Sequence, residues 1–332
     1  MYYDDVERTR QSMIPDWLHP VSLPLPFGPW EVNVYAVSKG SLTGILDAGL
    51  KSETAREDLE QGLRNTGLNP RDIRRAVFTH YHADHCGMGL ELRENGVETV
   101  MSETETKLIS DYFMRPEQDA LKASFYGRHP VPEKFAQRVS SIFPMFRRFC
   151  PEFRPDRTVM DGDSINLGGI DFKVLVRPGH TQGSLCLWHE ETRSLLCGDQ
   201  LMMDVVPQIS LRPDLLDRDP LGSYLDTLDY FLSLEISTAW PGHGRPVHEP
   251  RECILGLKRA FRDMTENVLA HVSGQPENAW DICMRAFPGE QMLFGRWIAF
   301  GRTLACLCHL RSRGLVEEFI NDESARKYRV VK

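Results

Sequence analysis

Three imidazoles and a carboxylate fall within the six residues His80-Tyr81-His82-Ala83-Asp84-His85. In an extended chain successive side chains point to opposite sides, so His80 and His82 project together. Asp84 and His85 follow at the bend, where they can face a neighbouring point. Four such donors aimed at two adjacent points are what a dinuclear metal site requires. Neutral imidazole and carboxylate suit zinc, and also iron or manganese. Crowding these groups together has no evident structural purpose without a cation. Three more candidates stand beside glycines: His180 after Pro178-Gly179, Asp199 after Gly198, and His243 between Gly242 and Gly244. Glycine permits the tight turn and close backbone approach that a ligand needs. Each of the three, taken singly, also reads as an ordinary loop or capping residue. Their distant positions in the chain do not show that they meet.

Something must hold these groups in place. Residues 75–79 form a short apolar strand that leads straight into the cluster, a common way to fix a chemistry-bearing loop. Earlier, 31–38 and 41–46 read as strands turning at Lys39-Gly40, the second ending in Asp47-Ala48-Gly49. An irregular lead-in over 14–30 precedes them and a helix over 52–66 follows. Ser102-Glu103-Thr104-Glu105 has the pattern of a capping box, so a helix starts there. From 103 to 150 the chain reads as helices rich in large apolar groups. These either pack as a pair on the core or form a cap over an apolar substrate pocket. Phe125 and Tyr126 in this segment, with Tyr81 and Ile209 outside it, are the candidate substrate contacts. Strands resume at 164–167, 171–176, 184–188 and 194–197. A helix over 222–234, a strand over 237–240 and an amphipathic helix through Ile254, Leu257, Phe261, Met264 and Val268 follow. Near Gly274-Gln275-Pro276 the pattern changes. Helices over 276–287 and 302–313 and a hairpin of 315–320 with 327–331 suggest a small winged-helix unit. The expected division is a catalytic domain over 1–272, with 103–150 as its helical cap, and a winged-helix-like domain over 273–332.

Composition bounds the function. The 332 residues carry a formal net charge of −8, which disfavours a protein that wraps nucleic acid, since phosphate contacts need clustered Lys and Arg. No run approaches the ~18 apolar residues that span a bilayer. The charged start, Met1 to Arg8, lacks the apolar segment of a secretory signal, so a cytoplasmic location is expected. The eight cysteines include no CxxC pair and read as buried free thiols.

The motifs, in their order, resemble those of metallo-β-lactamase superfamily hydrolases. His80, His82, Asp84 and His85 match an HxHxDH motif, His180 a later His after Gly, Asp199 an Asp after Gly, and His243 a Pro-Gly-His-Gly turn; Asp47 matches the first motif of that family. The resemblance covers roughly residues 20–250. It implies an α/β fold, an αββα sandwich with the metals at one edge. By the same resemblance His80, His82 and His180 hold one metal, Asp84, His85 and His243 hold the second, and Asp199 bridges them. The two would sit about 3.5–4 Å apart, as in other two-metal sites. Asp47 and Thr79 would steady the ligands from behind. His82 stands where flavo-diiron oxygen reductases carry Glu, which argues against redox use. His85 stands where the commonest secreted zinc β-lactamases carry a non-ligand residue, which argues against antibiotic resistance. The tail, through residues 280–283 and 301–310, resembles the winged-helix tail of β-lactamase-like hydrolases related to glyoxalase II. Gly198-Asp199-Gln200, Pro207-Gln208-Ile209-Ser210 and Asp219-Pro220-Leu221 are similar to that branch as well.

The expected function is hydrolysis of an ester, thioester or lactone with two divalent ions per chain, zinc first, iron or manganese also suiting the donors. A hydroxide shared by the cations attacks the carbonyl carbon, and one cation takes up charge from the oxyanion. Asp84 binds metal, orients the nucleophile and passes a proton to the leaving group. Tyr81 serves as oxyanion donor or as packing. A nuclease or phosphodiesterase is the alternative that the same metals support. A mononuclear iron oxygenase and a winged-helix binding protein with a decayed site stand further off. The expected partner is a small acyl substrate rather than nucleic acid or membrane, and a homodimer is open to the chain.

Overall fold

The computed structural model describes residues 14–26, 30–109, 125, 128–211, 219–321 and 324–331. In chain order the elements are β1 (Leu18–Pro24), β2 (Glu31–Lys39), β3 (Leu42–Leu46), α1 (Glu53–Asn65), β4 (Ile73–Val77), α2 (Ala83–Cys86), α3 (Gly89–Glu94), β5 (Glu98–Ser102) and α4 (Glu103–Lys107). After them come α5 (Glu133–Ser140), α6 (Ile142–Phe149), β6 (Arg157–Val159), β7 (Ser164–Leu167), β8 (Ile170–Val176), β9 (Leu185–His189) and β10 (Ser194–Gly198). The chain continues with α7 (Pro220–Ser233), β11 (Thr238–Pro241), α8 (Pro250–Ala270), β12 (Glu277–Asn278), α9 (Ala279–Ala286), α10 (Leu293–Ser312), β13 (Val316–Ile320) and β14 (Arg326–Val330).

Alternation along the strands builds the layers. In β2, Val32, Val34 and Ala36 join an outer apolar cluster with Leu59 and Leu63 of α1, whereas Tyr35 and Val37 face inward. In β9, Leu185 and Leu187 face inward while Cys186 and Trp188 face the other way. The inward sets meet in one cluster, with Val77 and Val100 from the first sheet and Phe172, Val174, Leu196 and Trp240 from the second. Period-two patterning with both faces apolar needs a cover on each side. Helices α1 to α3 cover the six-stranded sheet, and α7 and α8 cover the five-stranded one. The result is the expected αββα sandwich.

Strand direction sets where the loops go. The first sheet runs β1-β2-β3-β4-β5-β6, with β3 to β6 parallel; the second runs β11-β10-β9-β8-β7, with β10 and β11 parallel. Leu46 pairs with Val77 and Gly198 with Pro241, so the segments after β3, β4, β10 and β11 leave at matching levels. The Leu185 amide, just after the β8–β9 loop, donates to the Thr79 carbonyl at 2.8 Å and joins the two sheets at that edge.

Several expectations need correction. The lead-in thought irregular contains β1. Its Pro20 and Pro24 mask a strand whose Leu18 faces inward and whose Val21 and Leu23 face the outer cluster, and they are tolerated because β1 is an edge strand. The helix expected over 302–313 begins at Leu293, since Gly295 and Gly301 lie inside it without breaking it. The helix expected from 276 begins at Ala279, because Glu277–Asn278 pair with β14 instead. The terminal hairpin is present as β13 and β14, in a three-stranded sheet of order β12-β14-β13. Apolar packing runs without a break from α7 and α8 into this tail, through Ile282, Phe300, Leu304 and Leu307. Phe135 of α5 stacks on Trp280 with ring centres 4.6 Å apart, tying the segment 103–150 to the same core. All eight cysteines are free and buried. Among the described residues no helix is long and apolar enough to cross a membrane.

Candidate metal centre

The loops at that edge bring the seven side chains together. His82 Nδ1 lies 2.9 Å from both His80 Nε2 and His180 Nε2. His243 Nε2 lies 3.3 Å from His85 Nε2 and 3.3 Å from Asp84 Oδ2. Asp199 reaches both sets: Oδ2 is 3.4 Å from His180 Nε2 and 3.6 Å from His243 Nε2, while Oδ1 is 3.4 Å from His85 Nε2. Three overlapping groups have donor atoms close enough to share an ion: His80, His82 and His180; His80, His85 and Asp199; Asp84, His85 and His243.

The groups behind the cluster aim its nitrogens. The Asp47 carboxylate accepts from the Thr79 hydroxyl at 2.9 Å and from the Thr79 amide at 2.8 Å. Having spent its proton on Asp47, Thr79 Oγ1 accepts from His80 Nδ1 at 3.0 Å. His85 Nδ1 donates to Asp47 at 2.8 Å, His180 Nδ1 to the Gln208 carbonyl at 2.9 Å, and His243 Nδ1 to the Glu31 carbonyl at 2.5 Å. Each of these four rings therefore turns Nε2 into the cluster. Asp47 achieves its reach in the left-handed region, at φ 62°, a strained setting for a residue other than glycine that is characteristic of functional positions. Asn33 and Tyr35 of β2 donate to the Pro241 carbonyl at 3.0 and 2.7 Å and fix the turn before His243. Gly242 has no room for a side chain: a Cβ there would lie 2.4 Å from Asp199 Oδ1 and 2.6 Å from the His85 ring.

This arrangement fits a cation. One ring nitrogen, His82 Nδ1, faces two lone-pair nitrogens and can offer only one a proton, whereas a cation satisfies all three. Asp199 Oδ1 is buried and makes no hydrogen bond, a costly state for a carboxylate that a metal would relieve. Neutral imidazoles with carboxylate oxygens are a donor set for zinc, iron or manganese.

The electrostatics divide the cluster. Burial and the neighbouring imidazoles of His85 and His82 push the His80 pKa well below its usual value. Burial also disfavours charge on His85, but Asp199, Asp47 and Asp84 outweigh it and raise that pKa well above the ordinary value. For His243 burial is outweighed by Asp199 and Asp84, and the pKa rises to about 9. Burial would raise Asp84 and Asp199, yet the facing imidazoles hold both carboxyls below the usual range.

The other candidates fare differently. Tyr81, read as oxyanion donor or packing, is 1% exposed inside the outer apolar cluster of the first sheet, its ring centre 4.9 Å from that of His82. Ile209, the candidate substrate contact outside the helical segment, is also 1% exposed and belongs to the core under the second sheet. Phe125 lies in that same core against His129, ring centres 4.7 Å apart. Tyr126 lies outside the described residues. The sequence reading missed Gln208, whose main-chain carbonyl holds His180, and Glu105, read only as part of a helix start.

The profile of the metallo-beta-lactamase superfamily matches residues 27–243, the stretch that carries all seven side chains, and the chain belongs to that superfamily. Its relatives include metallo-hydrolases, and the chain is a metallo-hydrolase with a His/Asp cluster suited to divalent metal. It is 28% identical over 284 residues to the probable metallo-hydrolase YqjP of Bacillus subtilis, covering 82% of this chain and 86% of that one. It is 29% identical over 241 residues to the Homo sapiens acyl-coenzyme A thioesterase MBLAC2, covering 69% of this chain and 76% of that one. Among solved structures, a metallo-beta-lactamase family protein from Thermus thermophilus superposes with a TM-score of 0.80 at 26% identity, over 96% of this chain and 99% of that one.

Proposed function

We propose that the protein hydrolyses an ester-type bond of a small acyl compound, a thioester foremost, with a lactone or simple ester as the neighbouring substrates. The observation that carries this reading is the convergence of seven donors from four separate loops on one buried-to-open cluster. The similarity to an acyl-coenzyme A thioesterase supports the thioester over the phosphodiester. In this reading His80, His82 and His180 hold one divalent ion and Asp84, His85 and His243 the other, with Asp199 between them; zinc is the first candidate. Cations so held supply Lewis acidity, activating water near neutral pH and drawing charge from an oxyanion.

The chain's own residues do the rest. Asp84 has a 27% exposed side chain, against 8% for Asp199, so it is the carboxylate that can meet a reacting group. Its depressed pKa keeps it ionised, ready to orient the nucleophile and then move a proton toward the leaving group. Asp47 and Thr79 keep His80 and His85 aimed. The order of two helices and a hairpin with a third short strand supports reading 273–332 as a winged-helix unit beside a catalytic domain over 1–272. Eight free, buried thiols accord with a cytoplasmic setting. The test is a screen of zinc-loaded protein against acyl thioesters, lactones, aryl esters and single-stranded RNA. Acyl-ester turnover is expected; RNA cleavage without ester turnover would overturn the proposal.

A further inference from the structure

We infer that Glu105 is a positioning residue that clasps the loop of His80 and His82 to the loop of His180. The inference rests on the metal-binding reading above. Glu105 is fully buried in α4, three residues after the helix cap Ser102, whose hydroxyl accepts from the Glu105 amide at 3.2 Å. A capping box would turn the glutamate back toward the cap. Here the carboxylate extends outward to the ligand loops instead. Oε2 accepts from the Tyr81 amide, between His80 and His82, at 2.9 Å. Oε1 accepts from the Thr181 hydroxyl and the Gly183 amide, both at 2.7 Å and both just past His180. Ser102 completes the grip by donating to the Gly183 carbonyl at 2.7 Å. A Cβ at Gly183 would lie 2.6 Å from Thr104 and 2.7 Å from Ser102, so that loop is seated directly on the start of α4.

The two loops belong to different sheets, and one ion needs all three imidazoles at a common distance. Metal geometry tolerates errors of only about 0.2 Å. Hydrogen bonds to a carboxylate are about twice as strong as neutral ones, so a single buried Glu can set this spacing. Glutamine cannot replace it. With one oxygen it must turn its amino group toward either the Tyr81 amide or the Thr181–Gly183 pair. The His85 and His243 side chains are anchored elsewhere, through Asp47 and the Glu31 carbonyl.

Zinc binding to the full-length, metal-stripped chain, followed by chelator competition, tests this. The unaltered protein is expected to show two binding constants. In Glu105→Gln one of them should weaken by about 10–100-fold, the usual effect of losing a group that orients ligands, while the other holds. Thr181→Val, which deletes one donor from a near-isosteric side chain, should weaken the same constant by a smaller factor. It decides the matter if Glu105→Gln does not fold. Unchanged constants in the variants, or equal loss at both, would overturn the role of Glu105 while leaving the metal reading intact. An unaltered protein that binds no zinc would overturn both.

Discussion

The two halves of the cluster touch, yet they are built differently. His80, His82 and His180 offer only nitrogens, aimed by a hydroxyl, a main-chain carbonyl and loops that Glu105 ties together. Asp84, His85 and His243 include a carboxylate of their own, and His85 is backed by another in Asp47. One half gives shape with no charge; the other gives charge and the more open position. The contrast suits a division in which the nitrogen half fixes an ion and the carboxylate half works on the substrate.

The largest test removes the shared nitrogen. His82→Ala takes away the atom that faces both His80 and His180. Hydrolysis should fall by at least about 100-fold, the scale of losing one oxyanion-stabilising group. Bound zinc should fall by one ion per chain, and elemental analysis beside the assay would show whether the carboxylate half keeps its own. Asp47→Asn probes the link between halves, because Asp47 backs His80 through Thr79 and His85 directly. Both zinc constants should weaken, by about 10–100-fold; a change in one alone would mean that the halves are independent. A smaller effect is expected of Gln208→Ala. The carbonyl that holds His180 remains, but the side-chain bond to the Ile298 carbonyl of α10 is lost. That is worth about 1 kcal/mol, roughly fivefold in the zinc constant of the nitrogen half alone.

Smallest at the site, and a control for it, is Asp219→Ala. Asp219 caps α7 through the Gly222 amide at 2.8 Å and accepts from Ser312 at 2.8 Å and His309 at 3.0 Å in α10. Stability should drop by about 1 kcal/mol, as for other lost caps, with both zinc constants unmoved. Burial alone would raise the Asp219 pKa, but His309 and the Gly222 amide outweigh it and lower it. Its stabilisation is therefore present above the unfolded carboxylate value of about 4 and is lost as pH falls through the lower folded value. Thermal melts of both proteins across that acid range should converge.

The sequence made the HxHxDH cluster legible because its four donors are contiguous. His180, Asp199 and His243 were legible only through their order in a family pattern, since one His at a strand end has no signature of its own. Glu105 was hidden beneath a second, correct meaning: the same four residues that announce a helix start also supply the clasp. Gln208 could not be found from residue type, because the group that binds His180 is a main-chain carbonyl that any residue would provide. For Tyr81 the sequence left oxyanion donor and packing both open; its ring lies in the outer apolar cluster with its centre 4.9 Å from that of His82.

The unbroken apolar packing from the second sheet into α9 and α10 bears on how the chain is made. Every donor of the metal cluster has been synthesised before the tail emerges. The tail nevertheless supplies Phe300, Leu304 and Leu307 to the cover of that sheet, and its Ile298 carbonyl to the anchor behind His180. A chain lacking residues 273–332 would thus carry the complete set of ligands on an unfinished support.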